Sequence, residues 1–158
     1  MDERFTVWNI INIEAISTGE DLVTLKGRSS FGLLPTLKND KIPAGLQAKL
    51  NESLGTFADE VHRSSPTSVI DRARDVATYA LLAYLDLQNS GAKDLGDLIG
   101  RLEGREFVVA SSTAMIINRL HARGKAAEQE KRGLRPVREE DAELVTHCVG
   151  SFLCGSIS

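Results

Sequence analysis

The chain has 158 residues, of which 42% are hydrophobic, 26% are charged and 5% are aromatic. This length and composition are typical of one globular domain whose core is built mainly from aliphatic side chains. No run of 18 or more apolar residues is present, and the start Met1-Asp2-Glu3-Arg4 lacks the pattern of a secretory signal, so we expect a cytoplasmic protein rather than a membrane or exported one.

The first 42 residues are predicted to form a small N-terminal appendage. Segments rich in Ile, Val and Thr flank the turn-forming sequence Ser17–Asp21, which favours a β-hairpin. A short helix over residues 5–14 and an irregular arrangement are the alternatives, because the apolar residues fit neither a helical nor a strand period cleanly.

Residues 43–158 are predicted to form a bundle of four to five helices, so the chain as a whole is mainly α. Pro43 opens the first helix, which ends near His62. Apolar residues recur along one face of this helix at Leu46, Leu50, Leu54, Phe57 and Val61. Ser65 and Pro66 then provide a serine cap and a first-turn proline for a second helix. Its apolar stripe comprises Val69, Ala73, Val76, Ala80, Ala83 and Leu87.

Three further helices are predicted in the second half of the chain. Asp94 caps a short one, and the next runs from Phe107 to His121, with a run of small residues at 110–114 that lets a neighbouring helix approach closely. The last helix begins near Glu139, where several acidic residues in the first turns suit the helix dipole. The buried stripe predicted for this helix comprises Leu144, Val145, Cys148, Val149, Phe152 and Leu153.

Positive charge is concentrated in the segment from Arg119 to Arg138. Seven Lys or Arg residues and two Glu residues give this segment a charge of +5, whereas the rest of the chain carries −8. A basic segment on an acidic body can bind anions even though the net charge is −3. The predicted phosphate ligands are Arg119, Arg123, Lys125, Arg132 and Arg135. The alternative is a solvated loop that pairs with the acidic surface.

Two histidines are candidates for acid–base chemistry. His121 lies between Arg119 and Arg123 near a helix C-terminus, which suits phosphate binding or proton transfer at an RNA backbone. His147 follows Glu143 by four residues, so a carboxylate can orient its imidazole on the same face of a helix. His121, His147 and Arg119 are therefore the candidate catalytic residues. The alternatives are a basic helix C-terminus and an ordinary surface pair.

Metal and disulfide chemistry are not predicted. His62, His121, His147 and Cys148 match the ligand spacing of no familiar zinc site, so we expect no metal and no cofactor. Cys148 and Cys154 are six residues apart, which on one helix points their side chains in different directions. Two reduced thiols are therefore expected.

The order of elements between Ser65 and Leu153 resembles a known group of helical domains. The matching segments are Ser68-Val69-Ile70-Asp71-Arg72-Ala73-Arg74, then Asp94-Leu95-Gly96-Asp97-Leu98, then a helix that ends Ile117-Asn118-Arg119. A polar loop and a final apolar helix follow. In this order the chain is similar to the abortive-infection C-terminal domain and to the wider HEPN group of helical domains.

The resemblance implies a stress or phage-defence protein that forms a homodimer and binds RNA or a nucleotide. Many HEPN proteins are metal-independent ribonucleases with an Arg-x(4–6)-His motif in the cleft between two subunits. Arg119 stands where that arginine is expected, but no histidine follows it by four to six intervening residues, and Lys125 and Ala126 lie in that window. The expected function is phosphate binding, with ribonuclease activity as an extension of it. The alternative is a non-catalytic interaction or dimerisation module that docks on a larger protein partner.

Overall fold

A computed structural model describes residues 8–27, 34–86, 94–102 and 108–156 of the chain. Within these ranges a two-stranded antiparallel sheet is followed by six α-helices. The predicted mainly α fold with a small N-terminal hairpin is therefore confirmed. None of the helices in the described ranges is long and apolar enough to cross a membrane.

The hairpin consists of β1 (Trp8–Ala15) and β2 (Asp21–Gly27). The turn between the strands contains Gly19 with a φ of +85°, a region of backbone conformation that favours glycine. The hairpin was the first choice from the sequence and is confirmed. The alternative of a helix over residues 5–14 is wrong, because residues 8–14 belong to β1.

One face of the hairpin is apolar and uncovered. Ile10 lies opposite Leu25 and Ile13 lies opposite Val23, so the four side chains share one face. Each of them is between 43% and 62% exposed. An isolated two-stranded hairpin is only marginally stable in water, so this element gains little from burial.

The first two long helices, α1 (Ala44–Arg63) and α2 (Pro66–Tyr84), meet at a tight corner. The predicted serine cap is present, because Ser65 Oγ accepts a hydrogen bond of 3.3 Å from the backbone nitrogen of Ser68. The Ser68 hydroxyl in turn donates to Glu60 of α1 at 3.0 Å. This corner turns the chain back on itself, so that α2 runs antiparallel to α1.

The predicted apolar faces of α1 and α2 form the centre of the core. In α1 only Leu54 remains partly exposed, and the other four predicted residues are buried. In α2 every predicted position from Val69 to Ala83 is buried, while Leu87 lies outside the described residues. Leu37 and Ile42, which precede α1, are also buried in this core.

Two helices follow on the other side of α2, and both were predicted. Asp94 caps α3 (Leu95–Ile99), since its carboxylate accepts a hydrogen bond of 3.0 Å from the backbone nitrogen of Asp97. The next helix, α4 (Val108–Gly124), extends three residues beyond His121, where the sequence predicted its end. Thr113 and Ala114 of its small-residue run are buried, which fits the expected close packing.

The segment predicted as a polar loop contains a helix, α5 (Ala126–Arg132). The prediction missed this helix, although Ala, Glu, Gln, Lys and Arg all have high helix propensity. Gly133 follows it with a φ of +59°, the left-handed conformation in which helices commonly end. The final helix, α6 (Glu139–Ser156), begins where predicted. Leu144, however, is 46% exposed and does not belong to its buried stripe.

The packing of α2, α4 and α6 brings the basic residues to one end of the bundle. These three helices contact one another, α1 covers α2, and α5 contacts α4. His121 of α4 contacts Asp71 of α2, and Arg123 of α4 contacts Asp141 of α6. The C-terminus of α4 therefore lies beside the N-termini of α2 and α6. We call residues 119–138 at this position the basic end.

Leu81 provides a test of the core. It is fully buried in α2, as is its neighbour Ala80. We expect Leu81→Asp to lower the free energy of unfolding by about 3–5 kcal/mol, because the substitution buries a charge without a partner. Urea unfolding measures this change, and Leu144→Asp on the exposed face of α6 is the matched control. An unchanged melting temperature for Leu81→Asp would remove α2 from the core.

Candidate phosphate-binding site

The buried carboxylate of Asp141 organises the basic end. Arg135 donates two hydrogen bonds to it, of 2.7 Å and 2.9 Å, and thereby binds both carboxylate oxygens. The backbone nitrogen of Arg138 donates a third hydrogen bond at 2.9 Å, and the guanidinium of Arg123 lies 3.8 Å away. Asp141 therefore ties the end of α4 and the link after α5 to the first turn of α6.

The position of Asp141 in α6 explains part of this arrangement. Since α6 begins at Glu139, Asp141 is its third residue and Arg138 its cap. An acidic side chain at the third position commonly accepts a hydrogen bond from the backbone nitrogen of the cap residue. The carboxylate is also placed where the helix dipole favours negative charge.

The environment of Asp141 favours its ionised form. Burial alone would raise the pKa of this carboxyl group, but the hydrogen bonds from Arg135 and the Arg138 backbone, with the charges of Arg135 and Arg123, lower the pKa below its ordinary value. The carboxylate thus remains charged at neutral pH, and it neutralises part of the positive charge around it.

His121 forms a pair with Asp71 across the interface of α4 and α2. Nδ1 of His121 lies 2.8 Å from Oδ1 of Asp71. Because an ionised carboxylate can only accept, Nδ1 donates this hydrogen bond and Nε2 remains for another partner. The His121 side chain is 17% exposed, so the pair fixes the orientation of a largely buried imidazole.

The pair predicted between Glu143 and His147 is not formed. Both residues are exposed on α6, and in the part of the chain that the structure describes no hydrogen bond or ion pair joins them. Residues four apart on a helix can form an ion pair, but an exposed pair contributes little free energy and water competes for both groups. Of the two candidate histidines, His121 rather than His147 has its imidazole oriented by a carboxylate.

The predicted phosphate ligands fall into two groups. Arg123 and Arg135 contact Asp141, and Arg132 forms an ion pair of 2.9 Å with Glu128 one turn earlier in α5. These three cations are therefore partly neutralised by carboxylates within the chain. The alternative prediction of a basic segment that pairs with acidic groups is accurate for this group.

The second group has no carboxylate partner among the described residues. It comprises the predicted ligands Arg119 and Lys125 and two further residues that were not predicted, Lys131 and Arg138, and all four are exposed. Arg119 lies in the last turns of α4, Lys125 immediately precedes α5, and Arg138 immediately precedes α6. Four uncompensated cations within twenty residues make this end of the bundle a surface that attracts anions.

Two carboxylates of this site were not identified as site residues from the sequence. Asp71 lies on an exposed part of α2, and no local signal in the sequence could reveal its partner 50 residues away. Asp141 was grouped with the other acidic residues of the first turn of α6. The sequence did contain an indication that Asp141 is buried. Asp141 lies four residues before Val145, and therefore on the same buried face of α6 as Val145, Cys148 and Phe152.

The described residues contain no group of three or more His, Cys, Asp or Glu side chains that could hold a metal ion. Cys148 is buried in α6, which raises the pKa of its thiol, and Cys154 is exposed.

A search of protein-family models, a search of curated proteins and a search of solved structures each found no match to this chain. The resemblance to HEPN domains, and the homodimer that it implies, therefore stay predictions.

The role of Asp141 can be tested by its effect on stability and on acid unfolding. We expect Asp141→Asn to lower the free energy of unfolding at pH 7 by about 1–3 kcal/mol, because hydrogen bonds to a charged group are lost. Since the folded-state pKa is depressed, the contribution of the ionised carboxylate is present above about pH 3.9 and is lost as the pH falls further.

The deficit of Asp141→Asn relative to the unmodified protein should therefore shrink below about pH 4. Urea unfolding at a series of pH values measures it. Glu140→Gln removes the same charge from the same turn of α6 at an exposed position and should have little effect at any pH. An equal deficit for both variants would show that Asp141 has no special role.

Proposed function

We propose that the chain is a HEPN-like helical domain of a stress or phage-defence type and that its basic end binds the phosphate backbone of RNA. The observation that carries this proposal is a group of exposed cations at one end of an otherwise acidic protein, none of which has a carboxylate partner within residues 8–27, 34–86, 94–102 and 108–156. The group comprises Arg119, Lys125, Lys131 and Arg138. Uncompensated Lys and Arg side chains bind phosphates mainly by releasing condensed counterions, which requires no sequence-specific contact.

The cluster around Asp141 supports this proposal by holding the cations in place. Affinity for phosphate is higher when the backbone that carries the cations is already ordered, because ordering it on binding costs free energy. Arg135 and Arg123 fix the link between α5 and α6 to the bundle through Asp141, and the cap position of Arg138 belongs to the same cluster. The arginines that contact Asp141 thus hold in place the segment that carries the cations without a carboxylate partner.

Binding is tested with single-stranded RNA at several salt concentrations. We expect Arg119→Ala and Lys125→Ala to weaken binding without a change in melting temperature, since neither side chain has a partner among the described residues. Each lost phosphate contact should reduce the slope of log K against log salt by about 0.7. By contrast, Arg135→Ala should lower the melting temperature, because Asp141 loses its main partner.

Lys38→Ala is the matched control for these variants. Lys38 is exposed, and its neighbour Asn39 is hydrogen-bonded to Gln47 and Asn51 in the first half of α1, away from the corner of α1 and α2 that lies beside the basic end. Its removal should leave RNA binding unchanged. Absence of RNA binding by the unmodified protein at low salt would contradict the proposal, because low salt maximises the electrostatic attraction.

Metal-independent RNA cleavage is a second candidate function, and the pair of His121 and Asp71 favours it. With Nδ1 bound to Asp71, Nε2 of a neutral His121 can accept the proton of a ribose 2′-hydroxyl. The 2′-oxygen then attacks the adjacent phosphorus and displaces the 5′-oxygen, which takes a proton from water. The products are a 2′,3′-cyclic phosphate and a 5′-hydroxyl, and His121 returns its proton to the resulting hydroxide. The negative charge that develops on the phosphorus oxygens would be stabilised by a cation of the basic end. Arg119, two residues before His121, projects from the other side of α4 and so is not that cation.

Cleavage is measured with labelled total RNA in the presence and absence of a metal chelator. We expect His121→Gln to abolish cleavage and Asp71→Asn to reduce the rate and shift its pH profile, because the amide no longer fixes the charge and orientation of the imidazole. His147→Gln is the control, since His147 lacks an orienting carboxylate in the described chain. Cleavage that survives His121→Gln would exclude this residue, and RNA binding without cleavage would leave only the binding proposal.

A further inference from the structure

Arg74 of α2 carries a partly buried guanidinium that has no partner among the described residues. Its Nε is covered by protein and forms no hydrogen bond, and the side chain takes part in no ion pair within the described ranges. Almost all buried polar groups in folded proteins are hydrogen-bonded, because an unmade hydrogen bond costs free energy. The stability of the fold therefore does not explain why an arginine occupies this position.

The contacts between α2 and α4 place Arg74 in the interface of these two helices. Thr67 of α2 lies against Gly124 of α4, since a β-carbon at Gly124 would be 3.6 Å from Cγ2 of Thr67. One turn further along α2, Asp71 contacts His121, which is one turn earlier in α4. In this antiparallel register the next turn of α2, which contains Arg74, runs beside the turn of α4 that precedes His121.

The side chain of Arg74 leads toward the pair of Asp71 and His121. In an α-helix, side chains lean toward the N-terminus and cover the turn before them, and residues three apart are neighbours on one face. The turn that Arg74 covers contains Asp71, whose carboxylate is 2.8 Å from Nδ1 of His121. The register of the helices and the direction of the side chain together bring the guanidinium to the groove beside the imidazole.

Both Arg74 and His121 have nitrogen atoms that are available to a ligand. The terminal nitrogens of Arg74 have no partner within the described ranges and, unlike Nε, are not covered by protein. His121 uses Nδ1 to bind Asp71, so Nε2 remains for another partner, and 17% of the side chain is exposed. Asp71 does not neutralise Arg74, because in the described chain the carboxylate pairs with the imidazole instead.

A phosphate group suits these two side chains. The planar guanidinium presents paired N–H donors that match two oxygens of a phosphate. A neutral imidazole accepts a hydrogen bond from a protonated phosphate oxygen, and an imidazolium donates one to an ionised oxygen. The seven Lys and Arg residues of the basic end adjoin this groove and attract anions to it.

We propose that Arg74 and His121 form an anion subsite, in the groove between α2 and α4, that binds one phosphate group. The inference deepens the proposed function and rests on it for the source of the phosphate. An RNA backbone that crosses the basic end would place one of its phosphates against Arg74, beside Nε2 of His121. Arg74 thereby adds a cation from α2 to those of the basic end. Free inorganic phosphate offers the same oxygens and is the alternative source.

Inorganic phosphate tests the subsite without RNA. Its binding to the full chain is followed by NMR through the imidazole protons of His121, which are assigned with His121→Gln, while chloride keeps the ionic strength constant. We expect a saturable shift of these resonances. Arg74→Met keeps an unbranched side chain but removes the guanidinium. It should raise the dissociation constant for phosphate at least about tenfold, because charge-assisted hydrogen bonds are lost.

Arg72→Met is the matched control for Arg74→Met. Arg72 lies two residues before Arg74, so its side chain projects from another side of α2, where it pairs with Asp75 at 3.4 Å. Its removal should leave phosphate binding unchanged. Phosphate should raise the melting temperature of the unmodified protein and of Arg72→Met, but not that of Arg74→Met, because only a bound ligand stabilises the fold.

The melting temperature without phosphate separates a binding role of Arg74 from a packing role. Because Nε of Arg74 has no partner among the described residues, Arg74→Met should leave this temperature unchanged or raise it. A lower melting temperature with phosphate binding intact would show that Arg74 serves only packing and would overturn the proposal.

Two comparisons separate the subsite from the proposed RNA binding. Arg119→Ala and Lys125→Ala should weaken RNA binding but leave the response of His121 to inorganic phosphate intact. A short single-stranded RNA should displace inorganic phosphate from His121 in the unmodified protein. Phosphate binding at His121 without RNA binding would keep the subsite and overturn RNA as its ligand. RNA binding without any response of His121 to phosphate or to RNA would overturn the subsite alone.

Discussion

The basic end of this protein depends on one buried carboxylate. Asp141 is the only acidic side chain among the described residues that is both buried and hydrogen-bonded to an arginine, and it joins three segments of chain. A buried ion pair is often no more stabilising than an apolar cluster of the same size, yet removal of one partner leaves a costly unpaired charge. Asp141 therefore serves mainly to fix the conformation of the chain between α4 and α6, rather than to add stability. The cations without a carboxylate partner lie on this segment, so their positions depend on Asp141.

Most of the fold follows from local patterns in the sequence. The apolar spacing in α1 and α2, the serine cap at Ser65 and the aspartate cap at Asp94 each act over a few residues, and each is present as predicted. The errors have local causes as well. α5 was missed because its residues are charged rather than apolar, although their helix propensity is high. Leu144 was wrongly predicted to be buried, because the apolar stripe of α6 is wide and the sequence does not show which of its two edges packs against the bundle.

The site was less predictable, because its contacts join residues that are distant in sequence. The cluster of basic residues is evident from the sequence. Which of these cations contact a carboxylate, however, depends on how the helices pack. Asp71 and His121 are 50 positions apart, and only the antiparallel packing of α2 against α4 places them together. A spacing rule of four residues instead favoured His147 and Glu143, which are neighbours on an exposed face and remain apart.

The uncovered apolar face of the hairpin has a consequence for hydrogen exchange. The amides of β1 and β2 are protected by the strand ladder, while the four apolar side chains of that face contribute little burial energy. The free energy of opening this ribbon is therefore much smaller than that of unfolding the helices. Its amides should exchange early as one cooperative unit, with no loss of protection in α2, α4 or α6. Any molecule that covers the apolar face of the hairpin would slow this exchange, so its binding could be detected from the amides of β1 and β2.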